Sequence, residues 1–261
     1  MSSSPTAHQE LFSIAGSRSA LPFLQSGPYC LRVATSDHDR MAALRLRFQV
    51  FNLELNEGLD SAYETGCDID EFDPVCDHLI VEHEITGQVV GTYRLQTGAM
   101  AAVNLGYYSE REFDLRPYER LRREIVELGR ACVHREHRSS EVLLLLWKGI
   151  VSYGLAHKAR YFIGCCSLTS QSAREGSAVY QYLLDHKVEP EFRTNPLPAL
   201  VLPLEESEPQ VPPKLLRAYL ALGAKICGPP AIDREFKTID FLTLLDIEAL
   251  HPRIRTKLAA Q

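Results

Sequence analysis

The most apolar stretch of the chain, residues 142–156, constrains the fold more than any other feature. A lysine interrupts it, and it is shorter than the roughly 20 residues that a membrane-spanning helix needs. It therefore predicts a buried helix, with Ser139 or Ser140 as its N-cap. Strand-like runs flank it at residues 125–133 and 160–165, as expected of a helix that packs on a sheet.

Hydrophobic periodicity and turn residues place the other elements. In chain order we predict a strand at 31–34, a helix capped by Ser36 or Asp37, a hairpin of strands at 78–84 and 89–96, a helix at 172–184, a short strand at 199–202, a helix at 214–222, and strands at 224–227 and 238–245. Between them, residues 52–76 predict a long acidic loop, and residues 110–124 predict an exposed loop or short helix. This order of strands and helices predicts a mixed α/β sheet.

Composition limits the function classes. With 261 residues and 45% hydrophobic side chains, the chain can bury a substantial core. Its formal charge of −6 argues against nucleic-acid binding. The seven cysteines have irregular spacing and no C-x-x-C pair, which argues against a disulfide framework and a zinc site. We expect reduced thiols in a cytoplasmic protein, and we expect no signal peptide.

Five segments occur in an order that carries a family resemblance. They are residues 45–51, the acidic loop, Asp77-His78-Leu79, residues 91–95 and Glu127-Leu128-Gly129-Arg130. Together they resemble the N-acyltransferase branch of the GNAT superfamily. That branch contains ornithine N-acyltransferases, N-acyl amino acid synthases and, more distantly, acyl-homoserine-lactone synthases. The ending, residues 227–242, resembles the first of these most.

The resemblance implies a fold and a domain organisation. The expected fold is α/β, with a GNAT-like mixed, mostly antiparallel central sheet flanked by helices and a C-terminal extension. We expect a flexible segment at residues 1–27 and an acyltransferase core at residues 28–188. Residues 189–261 should complete the sheet and cover the acyl pocket.

Glu127 is the first candidate for a catalytic base. Amide formation from a thioester needs a neutral amine, so a base must remove a proton from the substrate ammonium. Alternation along a strand puts Glu127 and Gly129 on one face and Arg130 on the other. Glu127 and Arg130 can then share a cleft only if the strand bulges or splays, which Gly129 would ease. Without the resemblance, Glu127 reads as an ordinary exposed strand residue.

The resemblance also implies that a backbone N–H of this strand, at Ala131 or Cys132, stabilises the anionic intermediate. An ordinary sheet hydrogen bond is the alternative. We therefore take Glu127, Arg130 and Cys132 as the predicted catalytic set.

Arginines and acids of the first half of the chain are candidates for binding an amino acid. Arg94 or Arg47 could hold an α-carboxylate, or each could belong to a structural ion network with nearby aspartates. Glu54, in the acidic loop, is the best candidate for holding a second ammonium; the alternative is a solvated loop. The predicted substrate-binding set is Arg47, Glu54, Asp70, Asp73, Asp77, His78 and Arg94.

The lack of glycine in the segment before the predicted buried helix bears on the identity of the acyl donor. GNAT enzymes that use coenzyme A cradle its pyrophosphate with a Gly-rich loop, and residues 135–140 contain no glycine. This favours acyl carrier protein over coenzyme A, with Arg135, Arg138, Lys148 and Lys158 as the predicted docking residues. Solvated charges around a helix are the alternative. His134 and His137 lack a third ligand, so no metal is predicted, and no cofactor is expected to stay bound.

The leading hypothesis is transfer of a long-chain acyl or 3-hydroxyacyl group from acyl carrier protein to an amino acid. Ornithine is the first candidate, which would give a lyso-ornithine lipid, with glycine or another amino acid next. Such an enzyme could touch the cytoplasmic membrane face. One alternative is an acyl-homoserine-lactone synthase. It is disfavoured because the chain is long for that group and has no tryptophan near the first helix, its only tryptophan being Trp147. The other alternative is a non-catalytic acyl-binding or partner-binding module.

Overall fold

A twisted sheet of nine strands forms the centre of the computed structural model, which describes residues 23–259. The strands are β1 (Leu24–Ser26), β2 (Tyr29–Val33), β3 (Asp77–His83), β4 (Gln88–Thr97), β5 (Ile125–Val133), β6 (Tyr161–Leu168), β7 (Lys225–Ile226), β8 (Ala231–Asp233) and β9 (Thr238–Asp246). Their order is β1-β2-β3-β4-β5-β6-β9-β7, and β8 also pairs with β9. The β5–β6 pair is parallel and the other recorded pairs are antiparallel, which confirms the expected mixed, mostly antiparallel sheet.

Helices cover both faces of this sheet. They are α1 (Asp37–Phe48), α2 (Ala62–Thr65), α3 (Gly98–Val103), α4 (Ser140–Ala156), α5 (Ala173–Tyr182), α6 (Lys214–Leu222) and α7 (Pro252–Ala259). Leu79 and Val81 of β3 pack in the main core with α4, whereas the intervening Ile80 packs against Ala43 of α1. Because side chains alternate along a strand, α1 and α4 lie on opposite faces.

Helix α4 is the predicted buried helix. Ser139 is its N-cap, and the serine side chain accepts a hydrogen bond from the Val142 amide. Val142 and Ile150 are fully buried. Within the described residues, no helix is both long and apolar enough to cross a membrane.

Strands β5 and β6 separate part-way along their length. Their pairing ends at Glu127 opposite Ile163, although β5 continues to Val133 and β6 to Leu168. Gly164 lies at the point of separation, where a Cβ atom would stand 2.2 Å from the Leu128 carbonyl oxygen. The two backbones approach there more closely than a side chain allows, and beyond that point they diverge.

Strand β5 also carries a bulge. Gly129 pairs with Arg94 and Cys132 pairs with Thr92, so two residues of β5 lie opposite one residue of β4. Arg130 is in the bulge and has a φ of 50°, in the left-handed region that non-glycine residues rarely adopt. The side chain of Arg130 is thereby turned away from the alternation of a regular strand.

Several predicted boundaries differ from the structure. The strand expected at 199–202 is wrong: Pro198–Leu200 forms a 3₁₀ turn, and only Val201 makes an isolated bridge. The acidic loop contains α2 and a 3₁₀ turn at Asp73–Val75. Of the segment expected to be flexible, residues 1–22 lie outside the described residues, and Leu24–Ser26 forms the edge strand β1.

Candidate functional site

A cavity of about 640 Å³ lies where β5 and β6 diverge. Charged and polar side chains line one part of it: Arg94, Glu127, Arg130, Asp233 and Asp240 from the sheet, and Glu57 from the loop before α2. Helices α4 and α6 line another part with Leu143, Leu146, Leu215, Ala218 and Tyr219. The cavity therefore joins a charged region to an apolar one, as a site for an amphipathic substrate requires.

Glu127 is buried beside this cavity and is held by three hydrogen bonds. The backbone amides of Tyr108 and Ser109 each donate to its carboxylate at 2.8 Å, and the Ser109 hydroxyl donates at 2.6 Å. These donors come from the start of a 3₁₀ turn at Tyr108–Arg111. Burial raises the pKa of Glu127 above the ordinary value of a glutamate, although the hydrogen bonds oppose this. A carboxylate with a raised pKa at a cavity wall is suited to accept a proton.

Glu127 and Arg130 both line the cavity because strand β5 is distorted. The strand both bulges at Arg130 and separates from β6 beyond Glu127, and both side chains line the cavity. The Arg130 guanidinium lies 4.1 Å from the Phe236 ring centroid and 5.1 Å from that of Tyr108. Its Nε is buried and has no hydrogen-bond partner among the described residues.

Three arginines and three aspartates form an ion network beside the cavity. Arg47 donates to Asp68 at 2.6 Å and to Asp73 at 2.6 and 3.1 Å. Arg94 donates to both Asp70 and Asp73, and Arg130 donates to Asp70 at 2.9 Å. We call this set, Arg47, Arg94, Arg130, Asp68, Asp70 and Asp73, the arginine–aspartate network.

Charges balance within the arginine–aspartate network. Burial alone would raise the pKa of Asp70, but Arg94 and Arg130 outweigh it and hold that pKa below the ordinary value. The pKa of Asp73 is lowered in the same way by Arg47 and Arg94. Arg94 and Arg130 line the cavity, whereas Arg47 lies behind it and is fully buried. Arg47 therefore belongs to an ion network, which was one of the two roles predicted for it.

The other predicted binding residues have different surroundings. His78 donates from Nε2 to the Asp73 carbonyl oxygen at 3.0 Å, so it supports the network from behind. Asp77 accepts a hydrogen bond from Tyr153 at 2.8 Å, at the other end of α4 from Ser139. Glu54 forms a two-point ion pair with Arg138 on the surface. Cys132 is buried among Leu46, Val50, Phe51 and Phe236.

The structure separates the four predicted docking residues. Arg135 and Arg138 precede α4, and Arg138 lines the cavity. Lys158 follows the other end of this helix of 17 residues, about 25 Å away at 1.5 Å per residue. Lys148 lies between them and is partly buried. Of the four, only Arg138 lines the cavity, and Arg135 lies three residues before it in the chain.

A second group of acids, Glu112, Asp233 and Asp240, was not among the predicted site residues. Asp233 and Asp240 line the cavity, and Glu112 is buried beside them. One carboxylate oxygen from each lies within 4.8 Å of the other two. We call these three residues the acid cluster. Within the part of the chain that the structure describes, none of them lies within 4.0 Å of a lysine, arginine or histidine nitrogen.

Comparison with known proteins adds a family to this geometry. The acetyltransferase (GNAT) domain family matches residues 46–148. An L-ornithine N(alpha)-acyltransferase from Rhodobacter capsulatus is 32% identical over 241 residues, which cover 87% of this chain and 93% of that protein. The L-ornithine N(alpha)-acyltransferase from Brucella abortus is 32% identical over 271 residues, which cover 95% and 94%.

The chain belongs to the L-ornithine N(alpha)-acyltransferase family. It is therefore an N-acyltransferase that forms an amide. The structure of FeeM, an N-acyl amino acid synthase from uncultured soil microbes, has the same fold. It aligns with a TM-score of 0.53 at 12% identity, and the alignment covers 86% of this chain and 95% of that one.

Sequence pattern alone did not identify the acid cluster or Ser109 as residues of the site. Glu112 was expected in an exposed segment, because residues 110–124 are rich in charge; it is 3% exposed. Asp233 and Asp240 lie in the C-terminal segment that carried part of the resemblance, which was the available signal. Ser109, the donor to Glu127, had no motif around it.

Proposed function

We propose that this acyltransferase acylates the α-amine of L-ornithine with a long-chain acyl or 3-hydroxyacyl group from an acyl carrier protein thioester. The observation that carries the proposal is the placement of Glu127. Its buried carboxylate, with a raised pKa, lies at the cavity where β5 and β6 part. The names of the relatives, L-ornithine N(alpha)-acyltransferase, support L-ornithine as the acceptor.

In the proposed reaction Glu127 accepts a proton from the substrate ammonium. The neutral amine then attacks the thioester carbonyl carbon, and the C–S bond breaks as the C–N bond becomes an amide. The thiolate of the donor leaves and takes up the second proton that the nitrogen loses as the amide forms, and Glu127 returns its proton to solvent. The hydrogen bonds from Tyr108 and Ser109 fix the carboxylate in place, which lowers the reorganisation needed for proton transfer.

Arg130 is the proposed ligand of the α-carboxylate. Its terminal nitrogen already binds Asp70. Its buried Nε lies 3.7 Å from Asp68 Oδ1, beyond hydrogen-bond distance, and has no hydrogen-bond partner among the described residues. A carboxylate oxygen placed there would complete the guanidinium's hydrogen bonding. The stacked rings of Tyr108 and Phe236 would hold the guanidinium in that orientation.

Ala131 is the better of the two proposed oxyanion donors. It lies inside the bulge without a register partner in β4, whereas Cys132 pairs with Thr92. A backbone N–H released from the ladder could instead donate to the carbonyl oxygen as negative charge develops there. Ala131 also lines the cavity.

The apolar part of the cavity, between α4 and α6, is the proposed acyl site. Leu143 and Leu146 face it from α4, and Leu215 and Ala218 face it from α6. Burying one CH₂ group contributes about 0.8 kcal/mol, so a long chain would be strongly favoured there. The C-terminal part of the chain would thereby cover the acyl group.

Acyl carrier protein is the proposed donor. Residues 135–140, which enter α4, contain no glycine that could cradle a pyrophosphate. Arg138 lines the cavity, Arg135 precedes it by three residues, and both are exposed, so they could receive the acidic surface of a carrier protein. Leu55 and Leu215 line the cavity and are each 38% exposed, which supports peripheral contact with the cytoplasmic membrane. Flotation with anionic phospholipid vesicles tests that contact.

The activity test supplies purified protein with C16 and C18 acyl groups on acyl carrier protein and on coenzyme A. L-ornithine, glycine and other amino acids serve as acceptors. We expect N-acylornithine as the main product and faster turnover with the carrier-protein donor. Absence of any acylated amino acid above the enzyme-free control contradicts the proposal, and a lactone formed from S-adenosylmethionine would favour the signal-synthase alternative.

Replacing Glu127 tests the base. Glu127→Gln keeps the shape of the side chain but removes the proton acceptor, so kcat should fall by about 100- to 10,000-fold. The melting temperature should stay close to that of the parent protein. The exposed Glu124→Gln substitution, just before β5, is the matched control and should leave kcat unchanged. Unchanged turnover in Glu127→Gln would remove Glu127 from this role.

A further inference from the structure

The acid cluster sits at the cavity without a cation of its own. Glu112 is 3% exposed and Asp240 is 4% exposed. Oε1 of Glu112 and Oδ1 of Asp240 are buried and accept no hydrogen bond from the described residues. Asp240 also lines the cavity. A buried carboxylate without a partner is costly, which makes it a candidate for binding a positively charged group.

The third member of the acid cluster is partly satisfied. Oδ1 of Asp233 accepts the backbone amides of Glu235 and Phe236, both at 2.8 Å, at the turn that leads from β8 to β9. These bonds fix the Asp233 carboxylate at the cavity wall. The register of β8 with β9 brings Asp233 opposite Thr238, two residues from Asp240. Two members of the acid cluster, Asp233 and Asp240, therefore lie on the paired strands β8 and β9.

Short contacts connect the acid cluster to Glu127. The Ser109 hydroxyl that donates to Glu127 at 2.6 Å also lies 3.6 Å from the Cys165 thiol. The same thiol lies 3.6 Å from Oε2 of Glu112. The Glu127 and Glu112 carboxylates are therefore no farther apart than these three contacts laid end to end.

The proposed acceptor has matching dimensions and charges. The two amino groups of an extended ornithine are about 6 Å apart, from standard bond lengths. Each needs room for a hydrogen bond, so one amine can reach Glu127 while the other reaches the acid cluster. An ammonium has three N–H donors and no acceptor, which suits a site of carboxylates.

We propose that Glu112, Asp233 and Asp240 bind the side-chain ammonium of a diamino acid acceptor and so select it over neutral amino acids. This rests on the proposed function, because the α-amine must be the group that reacts at Glu127. Glu112, at the end of the 3₁₀ turn at Tyr108–Arg111, and the donors to Glu127, at its start, belong to one short segment. That segment links the position of the side-chain ammonium to the position of the α-amine.

Norvaline is the probe for the experiment, because it has the carbon chain of ornithine without the side-chain amine. We expect kcat/KM of the full chain to favour ornithine over norvaline by about 100-fold or more. Asp240→Asn, which preserves shape, should lower this preference by at least about tenfold through a higher KM for ornithine. Glu112→Gln and Asp233→Asn provide second and third tests if one variant folds poorly.

Asp246→Asn is the matched control. Asp246 lies on the same strand, β9, where its carboxylate pairs with Arg160 on the surface, away from the cavity. Its substitution should leave the preference for ornithine unchanged. The same loss of preference in Asp246→Asn and in Asp240→Asn would overturn the proposal.

The remaining outcomes separate this proposal from the proposed function. Parent protein that acylates neither acceptor refutes both. Parent protein that acylates ornithine and norvaline equally, or cluster variants that keep the preference, refute only the role of the acid cluster. Calorimetric titration with Mg²⁺ and Ca²⁺ covers another ligand: a divalent cation that binds the parent but not Asp240→Asn, with loss of ornithine preference in EDTA, also overturns it.

Discussion

Two sets of buried carboxylates lie beside the same cavity, and they differ in their counter-charges. Asp68, Asp70 and Asp73 share three arginines in the arginine–aspartate network. In the acid cluster, Glu112 and Asp240 are as deeply buried, yet no cation lies beside them in the described chain. The aspartates of the first set are neutralised by arginines of the protein itself, whereas in our proposal the acid cluster is neutralised by a ligand. In our proposal, the network aspartates hold the arginines of the site in position and the acid cluster selects the acceptor.

The largest expected effect comes from removing an arginine of the arginine–aspartate network. Arg47→Met leaves Asp68 and Asp73 buried without their main partner, so the free energy of unfolding should fall by about 3–5 kcal/mol. Urea denaturation followed by circular dichroism measures it. Arg40→Met, on the same helix, breaks an exposed pair with Asp37 and should cost less than about 1 kcal/mol. Equal losses in the two variants would contradict this assignment.

A substitution in the acid cluster should have the opposite sign. Burial, with help from neighbouring acids, raises the pKa of both Glu112 and Asp240, so folding favours their protonated forms. The stability these groups contribute is present at low pH and is lost as pH rises through the raised pKa. Asp240→Asn should therefore be more stable than the parent by about 1–2 kcal/mol at the alkaline end.

Melting temperatures measured from about pH 5 to 8 test that sign. The gap between Asp240→Asn and the parent should widen as pH rises. The network aspartates behave in reverse: their lowered pKa values make their contribution present above the ordinary range and lost as pH falls. A gap that narrows with rising pH would show that the pKa of Asp240 is lowered rather than raised, because a partner in the free protein stabilises its charged form.

The smallest effect is expected at the surface pair of Glu54 and Arg138. Both side chains are partly exposed, so Glu54→Gln should change the free energy of unfolding by less than about 1 kcal/mol. The change should shrink further between 0.05 and about 0.5 M salt, because screening weakens exposed pairs. A larger effect, independent of salt, would place this pair with the buried network.

Most of the fold could be predicted from the sequence, because long periodic segments dominate it. Helix α4 and its Ser139 cap, the β3–β4 hairpin and α6 follow from local pattern. The edge strand β1 and the short β8 did not, since three residues carry too little periodicity to read.

The site was reached only in part. Glu127 and Arg130 could be located, because their motif lies in one strand and Gly129 signalled a possible distortion. Glu112, Asp233 and Asp240 come from distant segments, and only the packing of β9 beside β6 brings them together. In a chain with many charged residues, no local pattern tells which carboxylates are buried without a counter-ion.

The backbone contact at Gly164 has a consequence for engineering. The divergence of β5 and β6 is fixed where Gly164 meets the Leu128 carbonyl, so main-chain packing sets the opening angle at Glu127. The leucines of α4 and α6 line the cavity from the helices instead. Acyl-chain length should therefore be tunable through Leu143, Leu146 and Leu215 while the chemistry at the vertex of the two strands stays the same, and a side chain introduced at position 164 would alter both together.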